Sequence, residues 1–170
     1  MGLLPLCAVE VLDQTTIDAL PGFKKRLDWF LVNRPDLARH ITCMAMSPHD
    51  GPRRLLAIPS RERLLRVLHY MLDEQEFLSP FGIRSVSRIH ESHPFTLRFN
   101  GDEHRLDYTP GESNTGLFGG NSNWRGPIWL PLNFLLVEAL ERYHHFYGNA
   151  FTVECPTGSG RHLTLEQVGH

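Results

Sequence analysis

The sequence predicts a mainly α-helical chain carrying one β-hairpin. Leu132, Leu135, Leu136, Ala139, Leu140, Tyr143 and Tyr147 recur at the spacing of one helix face. Leu64, Leu65, Val67, Leu68, Met71 and Leu72 do the same. Between them, Asn100-Gly101 separates two runs that alternate apolar and polar residues, Phe95 to Phe99 and His104 to Tyr108. That dipeptide between such runs is the strongest short-range hairpin signal a sequence offers.

In chain order, Leu3, Leu4, Leu6, Ala8, Val9, Val11 and Leu12 predict a buried helix beginning almost at Met1. Pro21 opens a second helix, with Phe23, Leu27, Phe30 and Leu31 on one face and Asn33-Arg34-Pro35-Asp36 as its stop. Residues 37–52 mix Met, Pro, Asp and Gly without period and read as loop, with room for a short helical turn. The short apolar run Leu55-Leu56-Ala57-Ile58 is compatible with helix or strand. Ser60 is suited to cap the next helix, which ends near Glu76, and Ser79-Pro80-Phe81-Gly82 reads as a turn. One helical turn is expected over 84–89. The hairpin follows, then a long loop, Thr109 to Asn123, rich in Gly, Ser and Asn. Loops of that length in compact domains often carry function. The apolar helix ends at Gly148-Asn149. A short strand at 151–153 and the start of a helix at 163–168 complete the reading.

A chain of 170 residues has room for one domain. Its net charge of −2 gives no electrostatic reason to expect nucleic acid or an anionic membrane as partner. No apolar run reaches transmembrane length, and Met1 to Leu12 lacks the basic start of a signal peptide. The three cysteines, Cys7, Cys43 and Cys155, are scattered, so a reducing compartment, the cytoplasm, is expected and a disulfide framework is not. The ten histidines, among them His90, His93 and the adjacent His144 and His145, match no zinc spacing and read as solvated or hydrogen-bonded. No metal and no cofactor is expected.

Gly119-Gly120-Asn121-Ser122-Asn123-Trp124-Arg125-Gly126-Pro127-Ile128-Trp129-Leu130 carries the densest chemical information. Its glycines allow sharp turns, and Pro127 suits the first turn of a helix. Ile128, Trp129, Leu130, Leu132, Phe134, Leu135, Leu136 and Val137 make the start of that helix apolar nearly all round, as in a helix enclosed on most sides. A polar, aromatic loop set on the end of a buried helix is a common way to build a sugar or cofactor cleft. Indole faces pack on the C–H faces of sugar rings, whose hydroxyls need amide and guanidinium partners. Trp124 and Trp129 fit that role beside Asn123 and Arg125; the competing reading makes both tryptophans core. Arg125 either binds a sugar hydroxyl or carboxylate, or braces the loop on backbone carbonyls. Asn133, a polar amide in an apolar stretch, reads as a loop brace.

Asn-Trp-Arg-Gly-Pro-Ile-Trp, residues 123–129, followed by Leu-Pro-Leu-Asn-Phe-Leu-Leu, resembles the signature of glycoside hydrolase family 63 and its bacterial relatives. The resemblance continues in residues 76–84, Glu-Phe-Leu-Ser-Pro-Phe-Gly-Ile-Arg, in the loop from Tyr108 to Gly120, and in residues 153–160, Val-Glu-Cys-Pro-Thr-Gly-Ser-Gly. It implies an inner helix of an (α/α)6 toroid and places residues 1–170 as one partial domain, an internal fragment of a larger protein of the bacterial branch. It implies inverting hydrolysis of α-linked glycosides, glucosidase- or mannosidase-like, with a carbohydrate substrate and the rest of the parent chain as partners. It also implies sugar contacts at Asn123, Trp124 and Trp129, although Asn123 replaces the family's more usual tyrosine.

Inversion needs two carboxyl groups, one to protonate the leaving oxygen and one to activate water on the opposite ring face. Asp107, Glu112 and Glu154 are the candidates here. Glu154-Cys155-Pro156-Thr157-Gly158 resembles the family segment that holds the base, but fewer residues separate Glu154 from Thr157 than in that segment. Glu112 is placed to hydrogen-bond substrate or hold the loop. The family's acid lies on an earlier hairpin, so the acid, and the base with it, are expected outside this chain. Two rivals stand beside this reading: a non-catalytic sugar-binding or scaffold protein of the same fold, and an unrelated helical interaction module with both tryptophans in its core.

Overall fold

The computed structural model describes residues 3–39, 42–46, 53–112 and 126–170. Helices and short strands alternate through them, so the architecture is mixed α and β rather than mainly α. The expected hairpin is one of four small sheets among the described residues. Two units can be distinguished.

The first unit comprises residues 1–67, 135–153 and 162–170. The stretch expected to be a buried helix is instead a single 3₁₀ turn, Leu4–Cys7, followed by strand β1, Val9–Asp13. An apolar run suits a half-buried strand as well as a helix, and β-branched Val9 and Val11 suit it better. β1 pairs antiparallel with β3, Arg53–Ala57, through Val9↔Ala57, Val11↔Leu55 and Asp13↔Arg53. β2, Thr42–Met46, lies on the other side of β3, giving the order β1-β3-β2 with an irregularity between Cys43 and Ala45. The ambiguous run 55–58 is therefore mostly strand, and part of the aperiodic stretch after Leu37 is a strand too. Leu55 and Ala57 are buried, alternating with half-buried neighbours as a pleated strand requires.

Helix α1, Gln14–Ala19, buries Ile17, and α2 runs Pro21–Asn33 as the proline and the stop signal imply. α2 buries none of its side chains; Trp29 and Val32 are exposed. α3, Pro35–Ala38, is one turn. α4, Arg61–Met71, starts where Ser60 accepts a hydrogen bond from the Arg63 N–H at 3.3 Å. α5, Leu130–Tyr147, buries Leu136, Ala139, Leu140, Tyr143 and Phe146. Leu130, Phe134 and Leu135 are exposed, so its first turns are not enclosed on all sides among the described residues. The rings of Tyr147 and Phe151 stack 4.7 Å apart just past the helix end, where Gly148 takes φ +66°. β8, Thr152–Glu154, pairs with β9, His162–Thr164, and α6, Leu165–Gly169, begins with a capping box between Thr164 and Gln167.

The second unit comprises residues 68–134 and 154–161. It buries Leu68, Met71, Leu72, Val86, Ser87 and Cys155. β4, Leu78–Ser79, pairs antiparallel with β5, Gly82–Ile83. The helical turn expected at 84–89 appears later, as a 3₁₀ turn at Arg88–Glu91 capped by Ser87. β6, Phe95–Phe99, and β7, Asp102–Leu106, form the hairpin on a two-residue turn, with Asn100 at φ +52° and Gly101 at φ +90°. Those two positive angles are what the tight hairpin turn demands and what Asn-Gly supplies.

Candidate sugar-cleft wall

The candidate site is assembled in the second unit by a short segment, residues 76–90, that reaches the described residues on both sides of 113–125. Its starting point is the turn Ser79-Pro80-Phe81-Gly82. Ser79 Oγ accepts from the Phe81 N–H at 3.2 Å and donates to the Gly82 carbonyl at 2.7 Å. Gly82 takes φ +118°, a backbone conformation open to little but glycine. A methyl group there would also stand 2.8 Å from Asn133 Oδ1.

Asn133 sits in the first turn of α5. Its Oδ1 accepts from the Ile83 N–H at 2.6 Å, and its Nδ2 donates to the Ile83 carbonyl at 3.0 Å and the Trp129 carbonyl at 3.1 Å. Both ends of the amide are satisfied, as a partly buried amide needs. The Trp129 carbonyl also accepts from the N–H groups of Leu132 and Asn133, each at 3.1 Å. Asn133 is thus a brace, as its place in an apolar stretch implied. Trp129 precedes the first helical residue and is half-buried. Pro127 lies outside the helix.

Ser85 holds the residues before it. Its N–H donates to the Pro127 carbonyl at 2.9 Å, and its hydroxyl lies 2.8 Å from the carbonyls of both Gly126 and Pro127. Arg84 faces the other flank. Its Nη1 donates to the carbonyls of Glu74 at 2.9 Å, Glu76 at 3.4 Å and Leu78, and its guanidinium lies 5.8 Å from the Tyr108 ring centre. The Tyr108 N–H donates to the His90 carbonyl at 3.3 Å. Beneath them the buried Ser87 hydroxyl donates to the Glu76 carboxylate.

The remaining candidates fall as follows. Asn123, Trp124 and Arg125 lie outside the described residues. Glu112 is exposed. Asp107 accepts from Arg105 Nε with both carboxylate oxygens at 3.0 Å. Glu154 accepts from the Gly160 N–H at 2.6 Å, closing the turn that follows Cys155. In that turn the Thr157 N–H donates to the Leu72 carbonyl at 2.9 Å and its hydroxyl to the His69 carbonyl at 2.8 Å. Neither Arg84 nor Ser85 stands among the site residues that the sequence pattern suggests, although Arg84 closes the segment 76–84 that carries the family resemblance.

Residues 53–154, more than half the chain, match the model of the glycosyl hydrolase family 63 C-terminal domain. The chain belongs to glycosyl hydrolase family 63. Among curated proteins it is 52% identical over 169 residues, 99% of its length, to an uncharacterized protein of Saccharomyces cerevisiae. It is 33% identical over 79 residues, 46% of its length, to a Schizosaccharomyces pombe protein named probable mannosyl-oligosaccharide glucosidase. The chain spans 15% of the length of the first and 7% of the second. Both are yeast proteins, and they lend no support to the bacterial branch that the sequence suggested. No solved structure matches the chain. Among the described residues of this family 63 chain, no helix is long and apolar enough to cross a membrane.

Proposed function

We propose that this family 63 chain forms one wall of the sugar cleft of an inverting α-glycosidase, glucosidase- or mannosidase-like, and is one segment of an (α/α)6 toroid in a longer polypeptide. The observation that carries the reading is the brace on Trp129. Asn133 and Ser85 tie down the backbone from Gly126 to Trp129, and Trp129 is only partly buried. A preorganised, partly exposed indole is what a sugar ring needs as a platform. Asn123, Trp124, Arg125 and Glu112 join Trp129 as the proposed sugar contacts. The name of the fission-yeast relative favours a glucose-capped oligosaccharide as substrate. The scattered cysteines, with Cys7 and Cys155 both free thiols, favour the cytoplasm.

Glu154 is assigned to its turn, because its carboxylate already caps the Gly160 N–H. The acid and base are assigned to other parts of the longer polypeptide. The second reading is a sugar-binding protein of the same fold without catalysis; Glu154 and Asp107, each held in a local hydrogen bond, supply no acid or base of their own. Hydrolysis of an aryl α-glucoside, followed by NMR of the first-formed anomer, decides between them. The β-anomer is expected for the inverting enzyme. Binding without turnover supports the second reading, and the α-anomer contradicts inversion.

A further inference from the structure

We propose that Arg84 and Ser85 are positioning residues that fix the two flanks of the sugar-binding wall, Tyr108 on one side and Gly126 to Trp129 on the other. The inference rests on the sugar-cleft reading above. The two residues are consecutive in the chain, yet each reaches a different flank. Arg84 directs the two N–H donors of one guanidinium nitrogen at the carbonyls of Glu74 and Leu78, with that of Glu76 farther off at 3.4 Å, and its Cζ lies 5.8 Å from the centre of the Tyr108 ring. Lysine has a charge but no plane to stack and no fixed fork of donors.

Ser85 has one hydroxyl proton, shared between the carbonyls of Gly126 and Pro127, while its N–H adds a second bond to Pro127. Gly126 stands at φ +63°, so the backbone bends sharply where Ser85 grips it. Two consecutive residues thus tie Tyr108 and the backbone at Gly126 and Pro127 to one point of the chain, while Asn133 holds the Trp129 carbonyl. Small displacements of a positioned contact are costly, since an error near 1 Å can lower a rate by about 10²-fold.

The test uses the full-length polypeptide carrying Ser85→Ala, Ser85→Thr or Arg84→Lys, with two readouts. Amide exchange should quicken in residues 126–133 for Ser85→Ala and around Tyr108 for Arg84→Lys, with residues 136–147 unchanged. Affinity for the imino sugar 1-deoxynojirimycin, read by calorimetry, should fall roughly tenfold in both, as expected for a misplaced contact. Ser85→Thr keeps the hydroxyl and should restore both exchange and affinity. Unchanged exchange overturns the brace. Faster exchange with wild-type affinity reduces it to structure alone and overturns the positioning role. A wild-type protein that binds neither 1-deoxynojirimycin nor its mannose-configured counterpart 1-deoxymannojirimycin overturns the sugar-cleft reading and this role together, and being read on the wild type it is distinct from a failure confined to the variants.

Discussion

Asn133 holds Ile83 by both ends of one side-chain amide, accepting from its N–H at 2.6 Å and donating to its carbonyl at 3.0 Å. The two residues are 50 apart in sequence, and the clamp joins β5 to the first turn of α5. Asn133→Ala leaves both backbone groups of Ile83 without this partner. Because the site is only partly buried, water recovers some of the loss, and a destabilisation of about 1–3 kcal/mol is expected. Urea unfolding of the variant checks it; a change below about 0.5 kcal/mol, the range of ordinary surface substitutions, would contradict the clamp.

Gly82 and Asn133 should behave as a coupled pair. Gly82→Ala meets two obstacles, a backbone angle of φ +118° and a Cβ position 2.8 Å from Asn133 Oδ1. Backbone strain alone costs on the order of 1–3 kcal/mol. In the Asn133→Ala background the steric part disappears, so Gly82→Ala should then cost less, with a coupling of roughly 0.5–3 kcal/mol. A double-mutant cycle measures it, and strict additivity would show that the close approach carries no energy.

Tyr143 is fully buried, and its hydroxyl has no hydrogen-bond partner among the described residues. Burial pushes its phenol above the usual tyrosine range, with the neighbouring Tyr147 and Cys7 adding to the shift. A raised pKa in the folded state means that the unfolded chain ionises first. The contribution to stability is therefore intact below about pH 10, the ordinary tyrosine value, and declines as the pH rises beyond it. Tyr143→Phe should be stabilising by about 1 kcal/mol at neutral pH, since it removes an unpaired buried hydroxyl. It should also flatten the alkaline fall in stability. Melting curves from pH 7 to 11 read both effects; a destabilised variant would mean that the hydroxyl has a partner.

Glu154→Gln separates a turn cap from a catalytic base. Glutamine keeps an oxygen to accept the Gly160 N–H, so the turn should survive. If Glu154 only caps the turn, turnover of an aryl α-glycoside by the full-length polypeptide should fall less than tenfold. A general base would cost roughly 10²–10⁴-fold. Steady-state kinetics on this variant decide the assignment.

Local signals were legible where the chain folds on itself over short distances. Pro21 and the residues after Asn33 marked the ends of α2, Ser60 marked the start of α4, and Asn100-Gly101 marked the hairpin turn. Thr164 and Gln167 also carry the capping-box spacing that starts α6. The β1-β3-β2 sheet was not legible, because its strands are short, β1 and β3 pair across 40 residues or more, and an apolar run such as Leu3 to Leu12 fits helix and strand alike. The tryptophans and Asn133 announced the candidate site through residue type. Arg84 and Ser85 did not, since their role lies in backbone carbonyls more than forty residues away for Ser85, and no local pattern records such partners.

The central claim is that Trp129 serves a sugar rather than a core, and Trp129→Ala tests it most directly. Its indole is half-buried and its carbonyl is held by Asn133, so the variant should keep its fold. As a platform, the ring contributes about 0.5–1.5 kcal/mol of contact beyond its buried area, so kcat/KM on an aryl α-glucoside should drop by about 2- to 13-fold with little change in melting temperature. A loss of about 3–5 kcal/mol in stability, with the folded fraction keeping its normal kcat/KM, would make Trp129 a core residue and contradict the account.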